Sequence, residues 1–345
     1  MSDSIKRNLI TTIKFSLSIG ILWYLFTTAQ NDDQFEKFLS QPKYWGWVGI
    51  GFVSCILANL ISFLRWRVMV RALGLPFTCF DAIRIGFIGS FFGLFAFGII
   101  GSDTLRAFYV TRQVKNRMPE AICSVVADRI VGLITMFSFA SVAFMMLDFE
   151  NIASAHPGKL QTLNYACRIV LAVTLICLAG VFSVILAPQV AKTRTFAWLL
   201  RLPRIGNLLR KLSDVVLTYR SQPKAVLSAV AMSLLVNLCF VISIYSLAIG
   251  LTNSAPTFRD HLLIEPISMV ANAAPLPGGL GGMELALKFL YEAFSCETGV
   301  IVGFAFRFSL LCVSALGAIF WFLNRKKVNE SYPASSHDSR GEISN

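Results

Sequence analysis

Pro275-Leu276-Pro277-Gly278-Gly279-Leu280-Gly281-Gly282-Met283-Glu284 lies inside a long apolar run and decides how that run folds. Two prolines and four glycines break a helix there, and a carboxylate follows at once. Broken backbone at membrane depth is stable only where protein or a water-filled cavity satisfies its polar groups. An apolar segment interrupted in this way points to a site for a substrate with a polar head.

The surrounding chain has the composition of a membrane protein: 55% hydrophobic and 14% charged residues. The net charge of +12 does not indicate a nucleic-acid partner. Lys and Arg gather in short loops beside apolar spans, where they set topology and meet anionic headgroups. A full span needs about 20 apolar residues, which predicts spans at 9–29, 46–69, 121–147, 165–187, 225–250 and 299–323. Two further apolar segments, 84–110 and 262–294, are interrupted by Gly or Pro. The expected fold is therefore an all-α polytopic integral membrane protein. It has six full spans plus two re-entrant broken-helix hairpins, or eight spans if both hairpins cross. The first run, Ile10 to Ala29, exceeds the apolar core of a signal peptide and reads as an uncleaved helix.

Positive charge assigns the sides. Lys6, Arg7 and Lys14 place the N-terminus in the cytoplasm, and the mixed loop 30–44 falls outside. Arg65, Arg67 and Arg71 before segment 84–110 with Arg84 at its start, and Arg106 near its end with Arg112, Lys115 and Arg117 after it, put both its flanks inside. Segment 262–294 has sparse positive charge on both sides and dips in from outside. Asn324-Arg325-Lys326-Lys327 ends the last span in the cytoplasm.

The broken segments also resemble each other. Phe97-Gly98-Ile99-Ile100-Gly101 aligns with Pro277-Gly278-Gly279-Leu280-Gly281 at an offset of 180 residues, and Arg129 and Arg307 each follow in the next span. Residues 46–147 and 225–323 thus read as an inverted repeat within one transmembrane domain, 1–324. Between them, 188–224 is a basic cytoplasmic loop with an interfacial amphipathic helix. The Ser-rich tail 325–345 is expected to be disordered.

Ionisable residues at membrane depth are costly and hence candidates for function. They are Asp103, Arg106, Asp128, Arg129, Glu265, Glu284, Lys288 and Arg307. Arginine offers phosphate a planar fork that stays charged. Helix starts expected at Leu105 and Met283 would add backbone donors. Two readings of Arg129 and Arg307 stay open: phosphate ligands, one per half, or ion pairs with Asp103 or Asp128 that fix packing. Glu284 either caps its helix, meets a cationic headgroup or takes part in proton coupling. Asp103 and Arg106, at i and i+3, are expected to pair, and Glu265 before Pro266 is assigned to the interface. His156, His261 and His337 are not placed to build a base or a metal cluster.

The eight cysteines form no CxxC pair and read as core packing. No HExxH, GxSxG or P-loop occurs, so neither enzyme activity, cofactor nor metal is expected. Gly89-x-x-x-Gly93 suits a second copy of the chain or the hairpin's own packing.

Pro277-Gly278-Gly279-Leu280-Gly281 with Glu284, together with Gly101-Ser102-Asp103-Thr104-Leu105-Arg106 and Asp128-Arg129, resembles the lysylphosphatidylglycerol synthase transmembrane-region family. This is the flippase-like membrane domain of bacterial multiple peptide resistance factors. The resemblance implies a multi-pass protein of the bacterial inner membrane that binds or translocates a polar-headed phospholipid. The candidate substrate contacts are Asp103, Arg106, Arg129, Pro277, Gly278, Gly279, Gly281, Glu284 and Arg307. The soluble aminoacyl-transferase domain of those factors has no counterpart here. The alternative is a non-catalytic subunit presenting lipid to a separate transferase or glycosyltransferase; a lipid-modifying enzyme is a third reading.

Overall fold

A computed structural model of the 345-residue chain describes residues 18–25, 34–93, 98–113, 117–146, 157–186, 217–272 and 280–330, with Ser16 and Thr27. Among them there are helices and no strands. After a helical segment at 18–25 come α1 (Gln34–Ser40), α2 (Trp45–Ala72), α3 (Cys79–Phe92), α4 (Gly98–Gln113) and α5 (Met118–Met145). Then follow α6 (Pro157–Leu186), α7 (Pro223–Thr252), α8 (Phe258–Asn272), α9 (Gly282–Ala293) and α10 (Gly299–Glu330).

Length separates these helices into two kinds. At about 1.5 Å per residue, α2, α5, α6, α7 and α10 exceed the roughly 30 Å hydrocarbon core. Residues Trp45–Ala72, Pro119–Met145, Pro223–Thr252 and Gly299–Leu323 are long and apolar enough to cross a membrane. The helices α3, α4, α8 and α9, of 14, 16, 15 and 12 residues, reach only about 18–24 Å. Segments 84–110 and 262–294 therefore are pairs of short helices rather than single spans. Large apolar side chains point outward, including Leu227 and Ile176, each 71% exposed, as a lipid-facing surface requires.

Packing repeats between the halves. If α2, α3, α4 and α5 are matched with α7, α8, α9 and α10, the principal contacts correspond. Helix α2 packs on α7 at the centre. Helix α3 packs on α10 as α8 does on α5; α4 on α5 as α9 on α10; α3 on α4 as α8 on α9. The contacts of α2 with α3, α5 and α10 are matched by those of α7 with α8, α10 and α5. Both short leading helices even start alike. Thr78 and Asp81 cap α3 reciprocally (Asp81 N to Thr78 Oγ1, 3.1 Å; Thr78 N to Asp81 Oδ2, 3.2 Å). Thr257 and Asp260 cap α8 likewise (3.3 and 2.8 Å). These two capping boxes lie 179 residues apart.

A core of Phe63, Phe87, Ile244, Leu263, Met283, Leu287, Tyr291 and Phe306 joins α2, α3, α7, α8, α9 and α10. A second, of Trp66, Val70, Ile85, Val110 and Ala121, joins α2 to α5. Helix α6 packs against α5, and the 18–25 segment seats Leu25 against Val300.

Pro266 lies inside α8. Two expectations need correction. Helix α4 starts at Gly98 rather than Leu105: where lipid offers no other hydrogen-bond partner, backbone around Gly98 and Gly101 stays helical. Helix α10 continues to Glu330, so part of the tail expected to be disordered is helical. Pro277, Gly278 and Gly279, most of the loop 188–224 with its amphipathic helix, and residues 331–345 lie outside the described residues.

Candidate functional site

Each half places an acid near the start of its second short helix and an arginine in the long helix that follows. In the second half Gly281 (φ 92°) turns the chain into α9, a conformation only glycine adopts without strain. Its N–H donates to Glu284 Oε2 at 2.9 Å. Glu284 is fully buried and also receives Arg307 of α10, through Nε on Oε1 and Nη2 on Oε2 (3.2 Å). Arg307 Nη2 further donates to Asn272 Oδ1, at the end of α8, at 2.9 Å. In the first half Asp103 of α4 receives Arg129 of α5, with Nε 3.0 Å from Oδ1 and 2.9 Å from Oδ2. This pair is more open, its side chains 22% and 38% exposed.

Asp103 therefore pairs with Arg129 and not with Arg106, as its i,i+3 spacing predicted. Tertiary placement presents it with a guanidinium from a neighbouring helix at bidentate geometry, which an i,i+3 pair along one helix does not offer. Of the two readings of Arg129 and Arg307, the ion-pair geometry is the one on display; the partners are Asp103 and Glu284. Asp128 is held by Arg65 of α2, Nε to Oδ1 2.8 Å and Nη2 to Oδ2 3.0 Å. Arg65 Nη1 reaches Ser233 of α7 at 2.8 Å. Arg65 had been read only as a topology signal; it is buried, and its ion pair ties α2, α5 and α7 together.

Arg106 stands apart. It is buried, its Nε has no hydrogen-bond partner, and no acid pairs with it among the described residues. Its guanidinium lies 5.5 Å from the ring of Phe63 and 5.7 Å from that of Trp66, so aromatic faces stand in for a counter-ion. Arg65, Arg129, Asp103 and Asp128 are all near enough to act on it. Three arginines against two aspartates leave this centre with one excess positive charge, with Arg106, Arg65 and Asp128 buried and the Arg129–Asp103 pair partly exposed. In the second half, Arg307 and Glu284 balance each other.

Two further residues lie where the sequence reading did not put them. Glu265, assigned to the interface, is fully buried, and neither carboxyl oxygen has a partner among the described residues. His261 is fully buried too; its Nε2 lies 2.7 Å from Tyr291 Oη and its Nδ1 2.9 Å from the Thr257 carbonyl. Both lie on the inward face of a short helix, and an interrupted apolar run does not show which face that is. Lys288 lies near Tyr24 Oη (3.3 Å) and Glu292 (3.8 Å). Among the described residues, no three His, Cys, Asp or Glu side chains group as a metal site. An open apolar groove of about 430 Å³ lies elsewhere, between residues 16–24 and α9, lined by Ile21, Tyr24, Leu285 and Phe289.

Long outward-apolar helices, paired short ones and buried ion pairs define a polytopic, all-helical integral membrane protein. The chain belongs to the family of the lysylphosphatidylglycerol synthase TM region, which it matches over residues 11–323. Curated proteins and solved structures gave no match.

Proposed function

We propose that this protein binds the anionic headgroup of a membrane phospholipid at the Arg106 centre and carries the lipid across the bilayer without altering it covalently. The observation that carries this reading is the excess positive charge of that centre. A buried guanidinium held only by aromatic rings gains most from an anion, and phosphate matches its fork. Family membership supports a lipid substrate. The matched packing of the two halves supports an inverted repeat, with α3–α4 and α8–α9 as hairpins entering from opposite sides. Rocking of one half against the other then gives alternating access. The bacterial inner membrane, with both termini cytoplasmic, is the proposed setting.

The paired arginines take structural roles: Arg307 with Glu284, and Arg129 with Asp103, fix the broken helices against the long ones. In proteoliposomes with tail-labelled phosphatidylglycerol, the purified protein is expected to move lipid between leaflets. Arg106→Gln is expected to lose at least about tenfold in rate, since one charged hydrogen-bond partner contributes about 1.5–3 kcal/mol, and Arg106→Lys less. Undiminished rates in Arg106→Gln would refute the assignment. Activity that needs an added lipid-modifying enzyme would replace it with the accessory-subunit reading, and a covalently changed lipid with the enzyme reading.

A further inference from the structure

The inward face of α8 carries His261, Glu265, Ser268 and Asn272 at i, i+4, i+7 and i+11, one stripe of a helix. His261, Glu265 and Ser268 are fully buried. The stripe begins at the His261–Tyr291 contact (2.7 Å) and ends where Asn272 accepts from Arg307 (2.9 Å), which is bound to Glu284. Aligned by the two capping boxes, the same positions of α3 are Ala82, Gly86, Gly89 and Gly93. Helix α3 makes the corresponding packings with small residues at these places. The fold therefore does not require polar groups there, and only the second half has them.

Glu265 is the member of the stripe that no structural role explains. Among the titratable and charged groups on α8 and the elements packed against it, Lys224 and Arg259 are exposed, Glu120 pairs with Arg117, and those facing inward are engaged elsewhere. On α5, Asp128 pairs with Arg65 and Arg129 with Asp103. On α9, Glu284 pairs with Arg307, Lys288 with Glu292, and Tyr291 with His261. On α7, Tyr245 packs its ring edge-on to His261, and Cys239 is buried beside Ala58 and Val236. On α8 itself, Asp260 caps the helix at Thr257. An ionised carboxylate buried without donor or cation is far costlier than the neutral acid. The arrangement shown is thus the proton-loaded one. Losing the proton requires water or a cation to reach Glu265, that is, an opening of α8 against its neighbours.

We propose that Glu265 is a proton-binding site, and that its loading and release couple lipid movement to a proton gradient. This rests on the transport reading and names its energy source. The carboxylate takes one proton from water on one side and returns it on the other, with no other bond made or broken. Polar neighbours of the stripe, from His261 to Asn272, give the opened helix a wettable face leading toward the Arg307–Glu284 pair.

Two measurements on the full chain in phosphatidylglycerol-containing vesicles test it separately. Dicyclohexylcarbodiimide reacts with protonated carboxyls in apolar surroundings, and peptide mass spectrometry locates the adduct. Wild-type protein is expected to be modified at Glu265, faster as pH falls, and not at Glu284. No adduct at Glu265, or one blocked by sodium at constant pH, overturns the proton site, the second result making it a cation site. The other measurement imposes a pH gradient and reads the leaflet ratio of tail-labelled phosphatidylglycerol. One proton per lipid shifts that ratio by up to about tenfold per pH unit, and Glu265→Gln is expected to abolish the shift while still binding lipid. Modification at Glu265 in a protein that moves no lipid would sink transport and leave the proton site standing. Lipid movement indifferent to pH in wild type would sink the coupling alone.

Discussion

A charged side chain inside a bilayer protein must be answered by its surroundings, and the quality of the answer sets the cost of removing it. Glu284 has no exposed surface and three donors: Gly281 N–H and two nitrogens of Arg307. Arg307→Ala strands a buried carboxylate, and such truncations cost about 3–5 kcal/mol. Thermal unfolding in detergent should show that loss, with much of it recovered in Glu284→Ala/Arg307→Ala, where no lone charge remains. Arg129→Ala should cost only about 1 kcal/mol, since the pair it breaks is partly exposed and screened. Equal losses for both arginines would contradict the burial contrast between the halves. The sequence already identified these arginines and acids as the costly residues. It left their partners open, because Asp103 lies 26 residues from Arg129 but three from Arg106, and chain separation says nothing about which helix packs alongside.

At the scale of elements, contact between helices depends on small residues where backbones close up. A Cβ added to Gly317 of α10 would stand 2.1 Å from the Phe87 carbonyl of α3. Backbone cannot swing aside as a side-chain tip can, so Gly317→Ala must push α10 away from α3. The expected loss is about 1–3 kcal/mol, read as a lowered melting temperature; Gly46→Ala, with nothing within 4 Å, serves as the neutral control. An unchanged melting point for Gly317→Ala would mean that α3 and α10 do not approach this closely. The long apolar helices were legible as runs of hydropathy, and the breaks as clusters of Gly and Pro. The start of α4 at Gly98 was not, because glycine's weak helix propensity is measured in water, where unfolded backbone has other partners. The paired capping boxes were within reach: Thr78-x-x-Asp81 and Thr257-x-x-Asp260 share the motif at an offset within one residue of that of the glycines. They mark the repeat more firmly than glycines do, because a reciprocal cap fixes where a helix begins.

For the whole molecule, the matched packings of α2–α5 and α7–α10 leave one question of orientation, on which charge distribution bears. The flanks of α3–α4 carry Arg67, Arg71 and Arg84 on one side and Arg112, Lys115 and Arg117 on the other, and those of α8–α9 carry little positive charge. In the arrangement we propose, the positive-inside rule opens the first pair to the cytoplasm and the second to the outside. Two ends can report this. Cys79 is an exposed native thiol at the start of α3, and Glu297, exposed between α9 and α10, accepts a cysteine without loss of a described ion pair. In chains retaining a single thiol, a membrane-impermeant maleimide added to intact cells should modify Glu297→Cys and leave Cys79 untouched until the membrane is opened. Modification of both from the same side would make the halves a parallel repeat. The hairpins would then open to one compartment, and a lipid headgroup bound near Arg106 would have no route to the opposite leaflet through α8 and α9. The same geometry decides whether Glu265 can meet two different proton reservoirs. A site reached from one side only equilibrates with that side, and no gradient can act through it.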